Sequence, residues 1–391
     1  MKKIVFGLKG MYLGGTEKAL LTALNNFPQT DYEVTILLLD KEGALLDKIP
    51  SFCKVLYIEN IDNKVKEPLL RNGFVDNIKY YLKHFRLIKV CKLLFRRLIK
   101  KDLLAEADGL YPKIPNLEEE FDIAVSAQYH DTFITRFIAD HVTAKKKYVW
   151  VHNDLSTTGY RYQYTKSYIN NFDKIYAVSN TITKELKDAY PEIADRIETK
   201  YNYFDEKSIK EKSLENIELP WSKETFSILS VGRLDKQKGF DIAIDVADIL
   251  RKNNIDFTWY ILGDGVEKQN LLKQIANKKL EKQFVLLGSV SNPFPYMKGC
   301  SLYVQPSRHE GYCTTTMEAL CLNKPIIMTK VSGADEQIED GFNGWLTDID
   351  SGAIANKIME VYKNIALLKE IESNIAKKAI NHNDTYFDFL D

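Results

Sequence analysis

Along this chain, short runs of β-branched and aromatic residues alternate with longer segments whose apolar residues return every three or four positions. Runs such as "KIVFG" and "FSILSV" carry little polar character, as strands covered on both faces do. Segments such as "GFDIAIDVADILRK" and "VEKQNLLKQIANKKL" have an apolar stripe and a charged face, as helices packed on a sheet do. The pattern predicts strands over 3–7, 34–39, 55–58, 123–127, 147–151 and 175–178 in the first half. In the second half it predicts them over 226–231, 258–262, 284–287, 302–305 and 325–329. Strand–helix alternation of this kind predicts an α/β fold with parallel sheets. The segment "YNYFDEKSIKEKSLENIELPWSKETF" at 201–226 separates two such series; polar, weakly periodic and broken by Pro220, it is read as a linker. Two domains follow, 1–203 and 204–374. Ligands of doubly wound sheets bind beyond the carboxyl ends of the strands, so two facing sheets would enclose a cleft.

Composition changes this picture little. At 391 residues the chain is long for one core, in keeping with two domains. Its formal net charge is zero, so attraction to nucleic acid or to an acidic membrane has to be local. The cysteines (Cys53, Cys91, Cys300, Cys313 and Cys321) are scattered and none forms a Cys-x-x-Cys pair. Neither a zinc site nor a disulfide framework is expected, and a reducing, cytoplasmic setting is. The apolar stretch of "MKKIVFGLKG" is too short for a signal-peptide core, and no uncharged run approaches the length of a bilayer span.

Each candidate for chemistry follows a strand. After the first comes "GLKGMYLGGTEKALLTAL", where Gly14 and Gly15 precede a helix whose N-terminus can face an anion. The spacing is neither a dinucleotide fingerprint nor a P-loop, and a glycine turn capped by Thr16 is the plainer reading. In "SVGRLDKQKGFD", Arg233 and Lys238 sit between Gly232 and Gly239 in a strand-to-helix loop. A diphosphate would be met there by a guanidinium, an ammonium and helix amides; solvated surface charges are the alternative. In "SRHEGYCTTTMEALCLNKPIIM", Glu310 stands at a strand end and Glu318 in the first turn of the next helix. The amides around Thr314 and Thr315 can hold the same phosphates from the other side. Carboxylates accept from sugar hydroxyls and stabilise a forming oxocarbenium ion. Thr315 and Glu318 also satisfy a capping box, in which the glutamate only closes the helix.

Glu310 and Glu318, separated by seven residues, resemble the E-x7-E motif of retaining GT-B glycosyltransferases, most closely family 4. "VGRLDKQKGFD" resembles that family's donor-phosphate loop, "GGTEKAL" its N-terminal glycine loop, "VHND" its strand-end histidine and "YNYFD" the entry to its interdomain linker. The matches run in the family's order over most of the chain. The resemblance implies two Rossmann-like doubly wound domains facing across a cleft, with a nucleotide-sugar held mainly by the second. It assigns Arg233 and Lys238 to the diphosphate, Glu318 to the ribose and Glu310 to the transferring sugar, and puts His152 near the sugar or acceptor. It also implies a C-terminal helix at about 375–391 that packs back on the first domain, and no metal or other cofactor. The sequence departs from the family pattern at Cys313 and Thr314, where Gly then Leu is common, and at Asn323, where Gly is common.

Within a basic insert at about 61–118, "NIKYYLKHFRLIKVCKLLFRRLIKK" at 77–101 contains no Asp or Glu and repeats apolar residues at helical spacing. It reads as a helix that docks on an anionic membrane surface, with a solvated core helix as the alternative. Nucleic-acid binding is not expected. The combined expectation is a cytoplasmic enzyme, peripheral on the inner face of the membrane, that moves a sugar from a UDP-linked donor to a glycan, lipid-linked acceptor. Its product would belong to cell-surface polysaccharide. Two rivals are a catalytically silent sugar-nucleotide scaffold or sensor and an NAD-dependent oxidoreductase.

Overall fold

A computed structural model describes residues 1–58, 82, 87, 91, 116–128, 132–155, 165–222, 224–377 and 386–390. The basic helix expected at 77–101, and with it the membrane-docking surface, lies outside the described residues apart from Leu82, Leu87 and Cys91. Of the C-terminal helix expected at 375–391, the described parts are a helix ending at Lys377 and a 3-10 turn at Tyr386–Leu390. The chain packs as two compact units. The first comprises 1–152, 159–176 and 187–198; the second comprises 153–158, 177–186 and 199–391.

The first sheet contains β1 (Lys2–Leu8), β2 (Tyr32–Leu38), β3 (Lys54–Tyr57), β4 (Glu120–Ser126), β5 (Thr143–Val151), β6 (Lys174–Ala177) and β7 (Ile197–Thr199). Their order is β3-β2-β1-β4-β5-β6-β7, and the ladders of β1 with β2 and β4 are parallel, with Ile4 opposite both Val34 and Ile123. The second sheet contains β8 (Ser227–Val231), β9 (Thr258–Leu262), β10 (Phe284–Gly288), β11 (Leu302–Gln305), β12 (Ile326–Thr329) and β13 (Trp345–Thr347). Its order is β10-β9-β8-β11-β12-β13, parallel throughout. The α/β class is as the alternation predicts. β7 and β13 were not anticipated; each is a three-residue edge strand, too short to register as a pattern.

Helices cover the sheets because their apolar stripes match. In order they are α1 (Gly15–Asn25), α2 (Phe133–His141), α3 (Asn180–Ala189), α4 (Glu206–Lys212), α5 (Phe240–Lys252), α6 (Lys268–Lys278), α7 (Phe294–Gly299), α8 (Thr314–Cys321), α9 (Ala334–Gln337), α10 (Ser351–Lys363) and α11 (Ala366–Lys377). α5 buries Phe240, Ala243, Ile244, Ala247 and Leu250, which share one helical face, and turns Arg251 and Lys252 out in its last turn. Each large apolar side chain so buried contributes about 1.5–3 kcal/mol. Asp205 and Asp350 cap α4 and α10 by accepting from the amides of Ser208 and Ala353.

The segment read as a linker is folded. It contains α4, and Trp221 packs on Tyr260 at 4.7 Å between ring centres while the Tyr260 hydroxyl donates to the Pro220 carbonyl. Ile209 and Trp221 are too few to make a periodic signal, yet they suffice to anchor the segment to the second sheet's surface.

Candidate active site

β8 and β11 lie side by side, and the chain leaves them in opposite directions across the sheet, from β8 to β9 and from β11 to β12. Such a reversal opens a crevice beyond the strand ends. The loop after β8 carries Arg233 and Lys238; the loop after β11 carries Glu310. Asp235 starts the turn Lys236–Lys238 by accepting from the Lys238 amide at 3.1 Å. Gly239 follows with φ of 68°, and a Cβ there would stand 2.0 Å from the Pro306 carbonyl oxygen. Only glycine lets the two loops approach this closely.

The loops are then tied together. The Arg308 amide donates to the Gln237 carbonyl at 2.7 Å, and Gln237 Nε2 donates to the His309 carbonyl at 3.0 Å. The Arg308 guanidinium grips both oxygens of Asp241 at 2.7 Å and donates to the Lys236 carbonyl at 2.9 Å. Inside this frame Lys238 Nζ donates to Glu310 Oε1 at 2.7 Å, with the side chains 14% and 7% exposed. Ser307 Oγ donates to the same oxygen at 2.6 Å. Burial alone would push the Lys238 ammonium down, but the adjacent Glu310 carboxylate outweighs it and holds the group above its ordinary range. Lys238 therefore stays a cation.

The next helix does not form the capping box. α8 begins at Thr314 with Cys313 as its N-cap and no side-chain cap, which puts Thr315 inside the first turn and Glu318 in the second. The cause is Gln337 of α9, whose amide donates to the Cys313 carbonyl at 2.8 Å and accepts from the Cys313 amide at 3.3 Å. Cys313 is thereby fixed as the cap two residues before Thr315. Thr315 instead donates to Gln305 Oε1 at 3.2 Å, and Glu318 is half-buried. The uncapped first amides, around Thr314 and Thr315, leave an N-terminus suited to an anion. Arg233 is not drawn into the group: its side chain is 58% exposed and lies 3.4 Å from Asp235.

Glu336, beside Gln337, accepts from the amides of Asn180 and Thr181 at 2.8 and 3.0 Å and from the Tyr201 hydroxyl at 2.8 Å. It thus closes the N-terminus of α3, while Tyr201 packs on Tyr312 at 5.0 Å. Ser307, Arg308, Asp241, Glu336 and Gln337 escaped the sequence reading. Polar residues inside a buried strand run, as in "YVQPS", were the one available signal for Ser307.

In the first unit, Gly14 is the N-cap of α1 in extended conformation, and the plainer reading of a Thr16 cap fails because Thr16 already lies inside the helix. The buried Glu17 carboxylate folds over Gly14, where a Cβ would stand 2.2 Å from Oε2. Gly15 opens the helix. His152 directly follows β5, partly exposed, and burial pushes its imidazole down to about 4. Among the described residues no three His, Cys, Asp or Glu side chains gather as a metal site requires, and no helix is long and apolar enough to cross a membrane.

Residues 212–380 match the family described as Glycosyl transferases group 1. Over 157 residues the chain is 37% identical to the Campylobacter jejuni N-acetylgalactosamine-N,N'-diacetylbacillosaminyl-diphospho-undecaprenol 4-alpha-N-acetylgalactosaminyltransferase, a match that covers 40% of this chain and 41% of that protein. The chain therefore spans about two fifths of the length of this curated relative. Among solved structures it is similar to Anabaena HepE in complex with UDP, with a TM-score of 0.66, 20% identity and coverage of 96% and 94% of the two chains. It is also similar to Staphylococcus aureus TarM in complex with fondaparinux, alpha-GlcNAc-glycerol and UDP, with a TM-score of 0.69, 17% identity and coverage of 98% and 97%. The fold is that of the GT-B glycosyltransferases, as the E-x7-E resemblance implied.

Proposed function

We propose that this chain, a GT-B protein whose residues 212–380 belong with the group 1 glycosyltransferases, is a retaining hexosyltransferase of the family 4 type. It moves a sugar from a nucleoside diphosphate donor, UDP-linked, to a hydroxyl of a lipid-linked glycan during cell-surface polysaccharide synthesis. The observation that carries the reading is the buried Lys238–Glu310 pair at the switch point of the second sheet, with the uncapped start of α8 following Glu310 in the same loop. A cation, a carboxylate and free helix amides are what a sugar diphosphate needs: two groups for the phosphates and one for the sugar. The UDP complexes of HepE and TarM, and the diphospho-undecaprenol in the relative's name, support the donor and acceptor classes.

The proposed chemistry is front-face. The acceptor oxygen bonds to the anomeric carbon on the side from which the diphosphate leaves, and the leaving phosphate oxygen takes the acceptor's proton. Lys238, the α8 amides and the exposed Arg233 stabilise the departing negative charge. Glu310 orients the sugar and faces its developing positive charge, Glu318 receives the ribose hydroxyls, and His152 serves the sugar or acceptor. Residues 1–203 form the acceptor side, with Gly14 and Gly15 at its glycine loop, and 204–374 the donor side. No metal or other cofactor takes part, and the protein works at the cytoplasmic face of the membrane.

Thermal stabilisation by UDP, GDP, ADP, NAD and several UDP-sugars tests this reading, because a ligand that binds only the folded state must raise its melting temperature. UDP should stabilise the wild type, and Arg233→Ala and Lys238→Ala should lose the response. Stabilisation by NAD alone would overturn the assignment. Binding of UDP-sugars without turnover of any acceptor would favour a silent scaffold.

A further inference from the structure

We propose that Ser307 is a positioning residue for sugar transfer, the last member of a one-way hydrogen-bond relay, Tyr303–Gln305–Ser307, that fixes Glu310 with Oε1 engaged and Oε2 turned to the substrate. The inference rests on the proposed transferase reading for its functional meaning, but its geometry stands apart from it.

Tyr303 and Gln305 lie on β11 and Ser307 just past its end, at alternate positions and so on one face. All three are fully buried, and Glu310 is 7% exposed. The Tyr303 hydroxyl donates to Gln305 Oε1 at 2.9 Å, Gln305 Nε2 donates to Ser307 Oγ at 2.8 Å, and Ser307 Oγ donates to Glu310 Oε1 at 2.6 Å. The Ser307 carbonyl is itself held by the Thr329 hydroxyl at 2.6 Å, so its backbone has no freedom to drift.

Proton economy gives the relay its direction. A serine has one proton to donate. If the Gln305 oxygen faced Ser307, that proton would have two acceptors, and one of the two short contacts would be oxygen against oxygen with no proton between. With the amide nitrogen facing Ser307, every contact is satisfied. The two hydroxyls of Tyr303 and Thr315 then share the amide oxygen. Burial pushes the Tyr303 hydroxyl well above its ordinary range, so it remains a donor. Glu310 Oε1 thus receives Lys238 from one side and Ser307 from another, while no hydrogen bond among the described residues reaches Oε2. A carboxylate with one oxygen doubly tied is held against rotation that would offer a different edge.

The test compares Ser307→Ala, Ser307→Thr and Gln305→Glu in the full chain. Ser307→Ala removes the relay's last donor; Ser307→Thr retains it; Gln305→Glu keeps Ser307 but draws its proton away from Glu310. A hydrogen bond to a charged group is typically worth a factor of about 10–100. We expect kcat for a UDP-sugar to fall by about that factor in Ser307→Ala and Gln305→Glu, with KM and UDP affinity changed less than about twofold, and Ser307→Thr to recover most of the loss. Loss confined to KM, or equal loss in Ser307→Thr at an unchanged melting temperature, would overturn the proposal. A crystal structure of Ser307→Ala supplies the arm that needs no activity: the carboxylate should turn, and an unmoved Glu310 sinks the positioning role. If the wild type turns over no sugar nucleotide while the carboxylate does turn, the transferase reading fails and the relay stands.

Discussion

The two sheets begin alike: each has a strand at its switch point, β1 or β8, followed by a glycine-bearing loop and a helix. The loops are furnished in contrasting ways. After β8, charged side chains are buried and cross-linked, and the glycine at the helix start is in the left-handed region. After β1, the corresponding glycine is extended, Tyr12 and Leu13 are exposed, and the buried charges nearby are carboxylates: Glu17 in the first turn of α1, folded over Gly14, and Asp40, which accepts from the Tyr12 hydroxyl. One loop has its cation paired with a carboxylate of the neighbouring loop; the other is covered by a carboxylate of the helix that follows it. A common topology therefore fixes where a ligand can sit, and the loop chemistry decides what it is.

The largest effect should come from breaking the charge pair that distinguishes the second loop. Lys238→Met leaves the Glu310 carboxylate buried without its cation, and removal of one partner of such a pair costs about 3–5 kcal/mol. Urea denaturation should show a loss of that size, and Lys238→Met combined with Glu310→Gln should recover much of it. If the single variant is as stable as wild type, Glu310 is not held by Lys238 in solution.

Next in size is the glycine contrast. Gly239→Ala must accept a left-handed φ and a Cβ 2.0 Å from a backbone oxygen, so it should destabilise by about 2 kcal/mol or more and weaken UDP binding. Gly14→Ala meets only the far end of the Glu17 side chain, at extended φ, and should cost under about 1 kcal/mol. Equal costs would mean that the two loops are not built differently after all. A smaller effect, about 1 kcal/mol, is expected for Glu336→Ala, which strips the carboxylate from the start of α3.

Much of this contrast could be read in the sequence, and the part that could not has a physical cause. The central strands and the loops after β1, β8 and β11 were readable because buried parallel strands leave uninterrupted apolar runs that end in glycine and charge. The Glu310–Lys238 contact was not, because 72 positions separate the two residues and only the strand order brings their loops together. The capping box misled for a related reason: Gln337, 24 positions beyond Cys313, sets where α8 starts, overriding a locally sound pattern. The linker was underrated because a seven-residue helix and one tryptophan carry almost no period.

The smallest expected effect separates the units by pH. Burial lowers the His152 imidazole in the first unit from its ordinary 6.5 to about 4, so between those values the unfolded chain binds a proton that the folded chain refuses. His152 then favours the folded state fully above its unfolded value, and that contribution is lost as pH falls from 6.5 through about 4. Lys238 in the second unit runs the other way: held above its ordinary range, it contributes below that range and loses the contribution only as pH rises through the folded value, in strong alkali. Of these two residues, then, acid probes His152 and alkali probes Lys238. Melting temperatures of the wild type should fall more steeply than those of His152→Asn as pH is lowered from 6.5 to 4, by a few degrees at most. Parallel curves would mean that His152 titrates as freely in the folded chain as in the unfolded one, and that its ring stands in water and not in the wall of the first unit.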